Sequence, residues 1–491
     1  MPTFFVVDNE RDWPLDTPTV EVVAARRYLT DPAFNEVRAA KVFNLCRSYR
    51  YQSSGYYVSL LAAARGHKPM PSVATIQDLK SQRIIRLMSE DLDEMIQHSL
   101  HPIQSDSHTL SIYFGRALAL RYERLSQRLF NLFPAPLMQA QFEREKQRWE
   151  LRALRPIAAS DIPPGHHEVV LEHAARYFAR KRPAGARRAV TRYDLAILHD
   201  PQEADAPSNP GALKRFERAA EKLGMDVEFI GRDDYGRIAE FDALFIRETT
   251  RVNHHTYRFA RRAAAEGLVV VDAPDDILKC SNKVYLAELL ERHEIPTPRT
   301  LVVHKGNLDR VLPELGLPCV LKQPDSSFSQ GVVKAETTAQ YLEQITKLLE
   351  KSDLVIAQEF MPTGFDWRVG IFNRQPLYVC KYYMARRHWQ VVKRDPGGRK
   401  SEGRDEVLRV EDAPPAVVRL ALRAARLIGD GLYGVDLKQV GKRLAVIEIN
   451  DNPNIDAGVE DKLLKDSLYQ RIMQELLERI ERGKRQPEER A

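Results

Sequence analysis

Paired cysteines, long apolar runs and the usual signatures of nucleophilic catalysis are missing from this chain, and each absence removes a class of function. Four cysteines, Cys46, Cys280, Cys319 and Cys380, are scattered among 491 residues without a CxxC pair. That spacing excludes a disulfide framework and a cysteine-ligated zinc site. No stretch approaches the roughly 18 uninterrupted apolar residues of a membrane span. The start, MPTFFVVDNERDWP, lacks the basic residues and long apolar run of a signal peptide. A cytoplasmic location with no membrane partner is therefore expected. No GxxxxGK[ST] loop occurs, and no Ser-His-Asp or Cys-His constellation can be assembled. Charge of one sign is also scarce: 74 Lys and Arg stand against 68 Asp and Glu, leaving +6. A surplus that small suggests a local taste for anions and does not imply nucleic acid.

What is present reads as several α/β domains. From residue 1 to 155, FFVVDN and TVEVVAARRYL (Thr19 to Leu29) suggest strands, and Tyr56 to Arg65 suggests a helix ended by Gly66. Helical spacing recurs in Ile84, Ile85, Met88, Leu92, Met95 and Ile96, and again in Leu118, Leu120, Leu125 and Leu129. The polar cluster Asn44 to Tyr57 reads either as a helix cap or as a ligand loop. Residues 156–192 read as a basic linker, because Arg176 to Arg192 carries seven basic residues, no acidic one, and Pro and Gly in its middle. From 193 to 275, DLAILHD, MDVEFI, DALFIRE and GLVVVDA alternate with helical stretches, which predicts a small parallel sheet. Ligands in such sheets meet the loops after strand ends, here His199 to Pro210 and Arg247 to Asn253.

The most informative stretch is Gly431 to Gly458, GLYGVDLKQVGKRLAVIEINDNPNIDAG. Two apolar runs flank Gly441-Lys442-Arg443, which reads as a hairpin with a three-residue loop and Val440 opposite Leu444. Counting back places Asp436 opposite Glu448, and alternation puts Asn450 on the same face. Two carboxylates and an amide are costly to bury without positive charge. An all-oxygen set of this kind suits magnesium or manganese alongside phosphates and water. The competing reading is a solvent-facing edge whose acids pair with Lys438 or Arg443.

Upstream segments supply residues suited to a nucleotide. Ser281 is a candidate cap for a helix running through Leu290, and Lys283 lies in its first turn, where anions are already favoured. LPCVLKQPDSSFSQGVVK (Leu317 to Lys334) is a strand projecting Lys322, then a loop of small polar residues, then a second strand. The strand ending in Gln358-Glu359-Phe360-Met361 suits an adenine ring. Asp366 and Arg368 share a face of the next strand, where one can accept from ribose hydroxyls and the other reach phosphate or a carboxylate.

In combination, NKxxxxxxL with IPTP, VLKQP with SxGV, QEFM with GxDxR, and GVD followed by ExNxxP resemble the ATP-grasp superfamily, most closely its RimK-type glutamate ligases, over about Asp194 to Leu477. The resemblance implies an α/β chain in which an ATP-grasp domain (276–482), two α+β subdomains clasping ATP, follows the small parallel α/β domain (193–275) and a separate N-terminal α/β domain. A charged tail, 483–491, closes the chain. It further implies that Lys283 and Lys322 bind ATP phosphates, Glu359 and Phe360 the adenine, and Asp366 the ribose. Asp436, Glu448 and Asn450 would hold two magnesium ions, and Lys322 and Arg368 would serve the transferring phosphoryl group. Such enzymes are carboxylate–amine ligases acting through an acylphosphate, here adding glutamate to a peptide, protein or small acceptor. Their partners are small-molecule or peptide carboxylates and amines, with a protein acceptor open.

Between the ribose aspartate and the hairpin, Lys381 to Lys400 offers Arg386, Arg387, Gln390 and Lys393 as contacts to phosphate or substrate. NPNIDAGVED departs from the small-residue loop of that family, which leaves acceptor specificity open. Leu463, Leu464, Leu468, Ile472, Leu476 and Ile480 define a closing amphipathic helix that either packs on the ligase domain or dimerises. A nucleotide-binding regulatory protein with its N-terminal domain as the working end is the alternative reading of the whole.

Overall fold

Residues 2–15, 17, 20–37, 40–89, 92–178, 192–325, 331–386, 388–394 and 400–489 are described by the computed structural model. They fall into two units, one of Met1–Arg192 with Asp233–Glu240, the other of Tyr193–Arg232 with Phe241–Ala491.

The first unit holds two four-stranded sheets. Strands β1 (Thr3–Val7), β2 (Glu21–Ala24), β3 (Lys41–Asn44) and β4 (Lys68–Met70) form a parallel sheet in the order β2-β1-β3-β4. Strands β5 (Ser107–Tyr113), β6 (Arg116–Ala117), β7 (Leu137–Glu145) and β8 (Arg148–Pro156) form an antiparallel one. The run expected as one strand from Thr19 to Leu29 is corrected: β2 stops at Ala24 and a helix, Ala25–Thr30, takes over. Ala and Arg favour helix, and the β-branched residues of the run, Thr19, Val20, Val22 and Val23, all precede it. Of the leucines read as one helical face, Leu125 and Leu129 lie buried in the helix Glu123–Leu132, while Leu118 and Leu120 precede it and are exposed. The polar cluster Asn44 to Tyr57 is bonded internally. Asn44 Nδ2 donates to the Gly55 carbonyl at 2.6 Å, and Ser53 Oγ donates to the Ser48 carbonyl at 2.7 Å instead of capping its helix. The stretch read as a linker opens with the helix His167–Phe178, whose Val170 and Ala174 join the core; its basic part, 179–191, lies outside the described residues.

The second unit begins with the parallel sheet anticipated from the strand and helix rhythm. Strands β9 (Tyr193–Leu198), β10 (Met225–Ile230), β11 (Ala243–Ile246) and β12 (Val269–Val271) run in the order β10-β9-β11-β12. An antiparallel sheet follows, ordered β13-β16-β14-β15, from β13 (Thr300–Val303), β14 (Cys319–Lys322), β15 (Val332–Ala335) and β16 (Val355–Glu359). The remaining strands are β17 (Phe365–Phe372), β18 (Gln375–Tyr383), the short pair β19 (Val392–Arg394) and β20 (Lys400–Glu402), then β21 (Asp405–Leu408), β22 (Leu432–Val440) and β23 (Arg443–Asp451). Five of them make an antiparallel sheet in the order β21-β18-β17-β22-β23. The helix Pro415–Ile428 covers it, burying Val417, Ala421, Ala424 and Ala425 beside Val369, Ile371 and Val435.

The closing helix, Asp466–Glu489, spends its apolar face inside this unit. Leu468, Ile472, Leu476 and Ile480 are buried with Leu213 and Phe216 of the helix Pro210–Lys222 and with Phe245 of β11. Its apolar residues therefore complete the core around the parallel sheet as well as touching Phe372 and Leu432 of the larger one. Among the described residues no helix is long and apolar enough to cross a membrane.

Candidate functional site

The hairpin of β22 and β23 brings Asp436 opposite Glu448, as counted from the sequence, but by a different route. The turn has two residues, Gly441-Lys442, so Val440 pairs with Arg443 and not with Leu444. A positive φ of 58° at Gly441 permits that tight turn. The one-residue shift this causes is cancelled by a bulge between Asp436 and Leu437, which restores the pairing of the two acids. Asn450 pairs with Gly434 and places Nδ2 3.2 Å from Asp436 Oδ2. Gly434 is where the hairpin is approached most closely, since a Cβ there would sit 2.8 Å from Pro453 and 3.5 Å from Cδ of Arg368.

Neither Lys438 nor Arg443 neutralises these acids. Arg368, on β17 directly across from Asp436, donates through Nε at 2.6 Å and Nη2 at 2.7 Å to its carboxylate. Lys283 Nζ lies 2.9 Å from Glu448. Lys438 instead reaches Asp366 at 2.5 Å, and Arg443 bonds Glu359. Burial pushes the Asp436 carboxyl above its ordinary range, with Arg368 opposing. For Glu448 burial acts upward too, but Lys283 and Lys322 together outweigh it and hold the group below its usual value.

Lys283 is the first residue of the helix Lys283–Arg292, whose cap is Asn282 rather than Ser281. Asn282 Oδ1 accepts from the backbone N–H groups of Val284 and Tyr285, each at 3.0 Å, whereas Ser281 ends the preceding helix, Pro274–Ser281. The shift by one residue follows from that earlier helix, which occupies Ser281 and leaves Asn282 as the extended residue between the two. Lys322 ends β14 and is 9% exposed, with Nζ donating to Gln358 Oε1 at 2.8 Å. Burial lowers this ammonium to about 8, Glu448 opposing and Lys283 and Lys438 adding. The loop expected to close over phosphates, 326–330, lies outside the described residues.

These groups line one cleft of about 690 Å³ in the second unit, with Lys283, Lys322, Glu359, Phe360, Asp366, Arg368, Asp436, Glu448, Asn450 and Gln390 all on its wall. The loops after β9 and β11 contribute as anticipated, through His199, Glu203, Ser208 and Thr249. Glu359 turns its carboxylate to the backbone N–H of Arg299 at 2.8 Å and to Arg443, so its side chain serves the strand end itself. The Phe360 ring stands edge-on to Trp389 with centroids 5.9 Å apart, and Lys334 Nζ lies 5.0 Å over it. Arg386 is exposed, Arg387 lies outside the described residues, and for Lys393 only the backbone of β19 is described.

Sequence reasoning missed Trp389, although it sits among the basic residues singled out around Gln390, and it missed Arg247. Arg247 is fully buried at the end of β11 and donates to Ser208 Oγ (3.0 Å), Asn452 Oδ1 (2.7 Å), the Pro453 carbonyl (2.9 Å) and the Pro207 carbonyl. It thereby fastens the loop after β9 to the segment just beyond Asn450. An arginine after an apolar strand carries no signal of such partners in the sequence.

The donor set fits a hard cation. Asp436, Glu448 and Asn450 offer only oxygen ligands once the amide is turned over, and the two carboxylates are each met here by a positive charge. Among the described residues no group of three His, Cys, Asp or Glu side chains is arranged to hold a metal ion. Two carboxylates and an amide oxygen would leave a divalent ion to complete its shell with phosphate oxygens and water.

Residues 25–173 match the model of the RimK-like ATPgrasp N-terminal domain. A probable alpha-L-glutamate ligase of Vibrio vulnificus is 25% identical over 233 residues, covering 47% of this chain and 74% of the relative. The alpha-aminoadipate–LysW ligase LysX of Saccharolobus solfataricus is 27% identical over 261 residues, covering 49% and 88%. A RimK-domain ATP-grasp protein of Sphaerobacter thermophilus aligns in structure with a TM-score of 0.43 and 17% identity over 57% of this chain and 98% of its own. Residues 25–173 thus carry a RimK-like ATPgrasp N-terminal domain, and over about half its length the chain is similar to RimK-type ATP-grasp ligases.

Proposed function

We propose that the cleft joins a carboxylate to an amine at the expense of ATP, with magnesium, through an acylphosphate. The observation that carries this reading is the convergence on one wall of two carboxylates and an amide with Lys283, Lys322 and Arg368. ATP supplies the phosphoryl group that activates the carboxylate, and magnesium, when bound, offsets the charge of its phosphates.

Lys283, at a helix N-terminus, and Lys322, rising from β14, hold phosphate oxygens from two sides. Lys322 carries its proton below about pH 8, so it meets phosphate as an ammonium at neutral pH. Phe360 and Trp389 provide the apolar edge for the adenine, and Asp366 accepts from ribose. Asp436, Glu448 and Asn450 would hold the metal, with Arg368 and Lys283, now on those carboxylates, turned to phosphate or substrate oxygens. Arg368 then stabilises charge on the transferring phosphoryl group or the reacting carboxylate. No protein nucleophile is needed, because positioning and charge stabilisation suffice for phosphoryl transfer.

The finer reading is that glutamate is joined to a peptide, a protein or a small acceptor, in keeping with the relatives named as glutamate and LysW ligases. ADP release by the full chain with ATP and magnesium, measured against amino acids, dipeptides and small carboxylates, tests both levels. Release that depends on one acid and amine pair, and disappears in Glu448→Gln, is expected. Turnover unchanged in that variant would overturn the assignment of Glu448.

A further inference from the structure

The floor of the cleft continues past the groups that hold metal and phosphate. Across the five-stranded sheet Glu448 pairs with Asp436, Asp436 with Arg368, and Arg368 with Cys380 of β18. Tyr382 lies two residues from Cys380 and so on the same face. The Arg368 guanidinium carbon is 5.2 Å from the centroid of the Tyr382 ring. Arg368 therefore stands between the oxygen ligands Asp436 and Glu448 on one side and a tyrosine on the other. Tyr382 and Glu460 both line the cleft.

Glu460 belongs to NPNIDAGVED, the segment that departs from the small-residue loop of the family, and it is 1% exposed. Its carboxylate accepts from the Tyr382 hydroxyl, from the backbone N–H of Asp456 at 2.7 Å, and from its own backbone N–H. All three donors are neutral. Asp461, the next residue and also buried, is held differently: Arg215 lies 3.1 Å from its Oδ2, and Tyr469 donates to the same oxygen at 3.0 Å. The other titratable groups facing Glu460 are Asp456, Tyr378, Cys380, Tyr469 and Arg247. Arg247 is the cation among them, and its donors go to Ser208, Asn452 and two proline carbonyls. Asp405, beside Tyr382 on β21, is taken by Lys462. Burial pushes the Glu460 carboxyl up to about 7, with Tyr382 and the Asp456 N–H opposing. Burial also raises the Tyr382 hydroxyl well above its ordinary value. The hydroxyl thus stays protonated and donates, while the carboxylate behind it exchanges a proton near neutrality.

We propose that Tyr382 and Glu460 form the subsite of the attacking amine, which enters as an ammonium ion and passes a proton through the Tyr382 hydroxyl to Glu460. This inference rests on the ligase reading and adds the groups that receive the nucleophile. An ammonium nitrogen has no lone pair, so it must lose a proton before it can attack. It donates to Tyr382 Oη as that hydroxyl hands its own proton to the carboxylate. The freed amine then attacks the acylphosphate carbon. The C–N bond forms, the C–O bond to phosphate breaks with its electron pair leaving on phosphate, and the second proton shed by nitrogen departs with the phosphate. Tyr382 touches the substrate, and Glu460 acts through it.

Hydroxylamine tests this, because it is uncharged near neutral pH and attacks without a proton acceptor. The full chain is given ATP, magnesium and glutamate, with hydroxylamine or with methylamine, putrescine or alanine as nucleophile, and hydroxamate and amide are measured. Glu460→Gln and Tyr382→Phe are expected to keep hydroxamate formation, which also shows that they fold, and to lose amide formation by roughly 100-fold. Wild-type amide formation should climb as Glu460 ionises through about 7, whereas in Glu460→Gln it should follow only the uncharged fraction of the amine. Equal loss of both products, or loss of neither, would overturn the subsite, as would a wild type that makes hydroxamate and no amide. A wild type that makes no hydroxamate would overturn carboxylate activation itself, and this inference with it.

Discussion

The pair of Arg368 and Asp436 is the most sharply testable interaction in the cleft. Its two side chains are 19% and 17% exposed and joined by two hydrogen bonds of 2.6 and 2.7 Å. Removing one member of such a pair leaves the other charge buried, at a cost of about 3 to 5 kcal/mol. Here the cost belongs near the upper end for Arg368→Met, because Asp436 would then face Glu448 and Asp366 with no opposing charge in direct contact. At about 2 to 4 °C per kcal/mol for a unit of this size, a cost of about 4 to 5 kcal/mol should lower the melting midpoint by roughly 8 to 20 °C. Asp436→Leu alone should cost a similar amount by stranding the guanidinium. The double variant should lose far less than the sum, giving a coupling of about 2 kcal/mol or more in a urea-unfolding cycle. Magnesium should recover part of the loss in Arg368→Met and none in the double variant, since only the former keeps both carboxylates. Additive single effects below about 1 kcal/mol each would refute the reasoning, for they would mean that water screens the pair.

Lys322→Met should weaken nucleotide binding by roughly tenfold or more in a fluorescent-ATP titration, consistent with loss of one charge-assisted contact. Because burial lowers this lysine to about 8, wild-type affinity should be highest below that pH and decline as pH rises through it; Lys322→Arg should flatten the decline. Arg247→Met should destabilise the chain by about 3 kcal/mol or more in chemical unfolding, because its removal strands four buried acceptors. Ile472→Ala should cost about 2 to 4 kcal/mol in the same assay, and a neutral result would mean that the closing helix does not complete the core.

Local pattern carried much of this protein's description. Alternation along β23 was enough to set Glu448 and Asn450 on one face, whereas Asp436 joins them because the bulge offsets the two-residue turn. The strand and helix rhythm after Tyr193 likewise dictated a parallel sheet, since each βα step must cross over before the next strand can pair. Lys283, Lys322, Asp366 and Arg368 were legible in the sequence as candidates to hold a nucleotide, and the fold brings all four to one cleft. What the chain alone could not decide was partnership. The bulge that offsets the short turn and the choice of Arg368 over Lys438 or Arg443 for Asp436 depend on tertiary pairing that local pattern does not set. Side-chain type and local period say which face a group occupies. Only the packed sheet, by bringing β17 beside β22, determines which charge lies across from it.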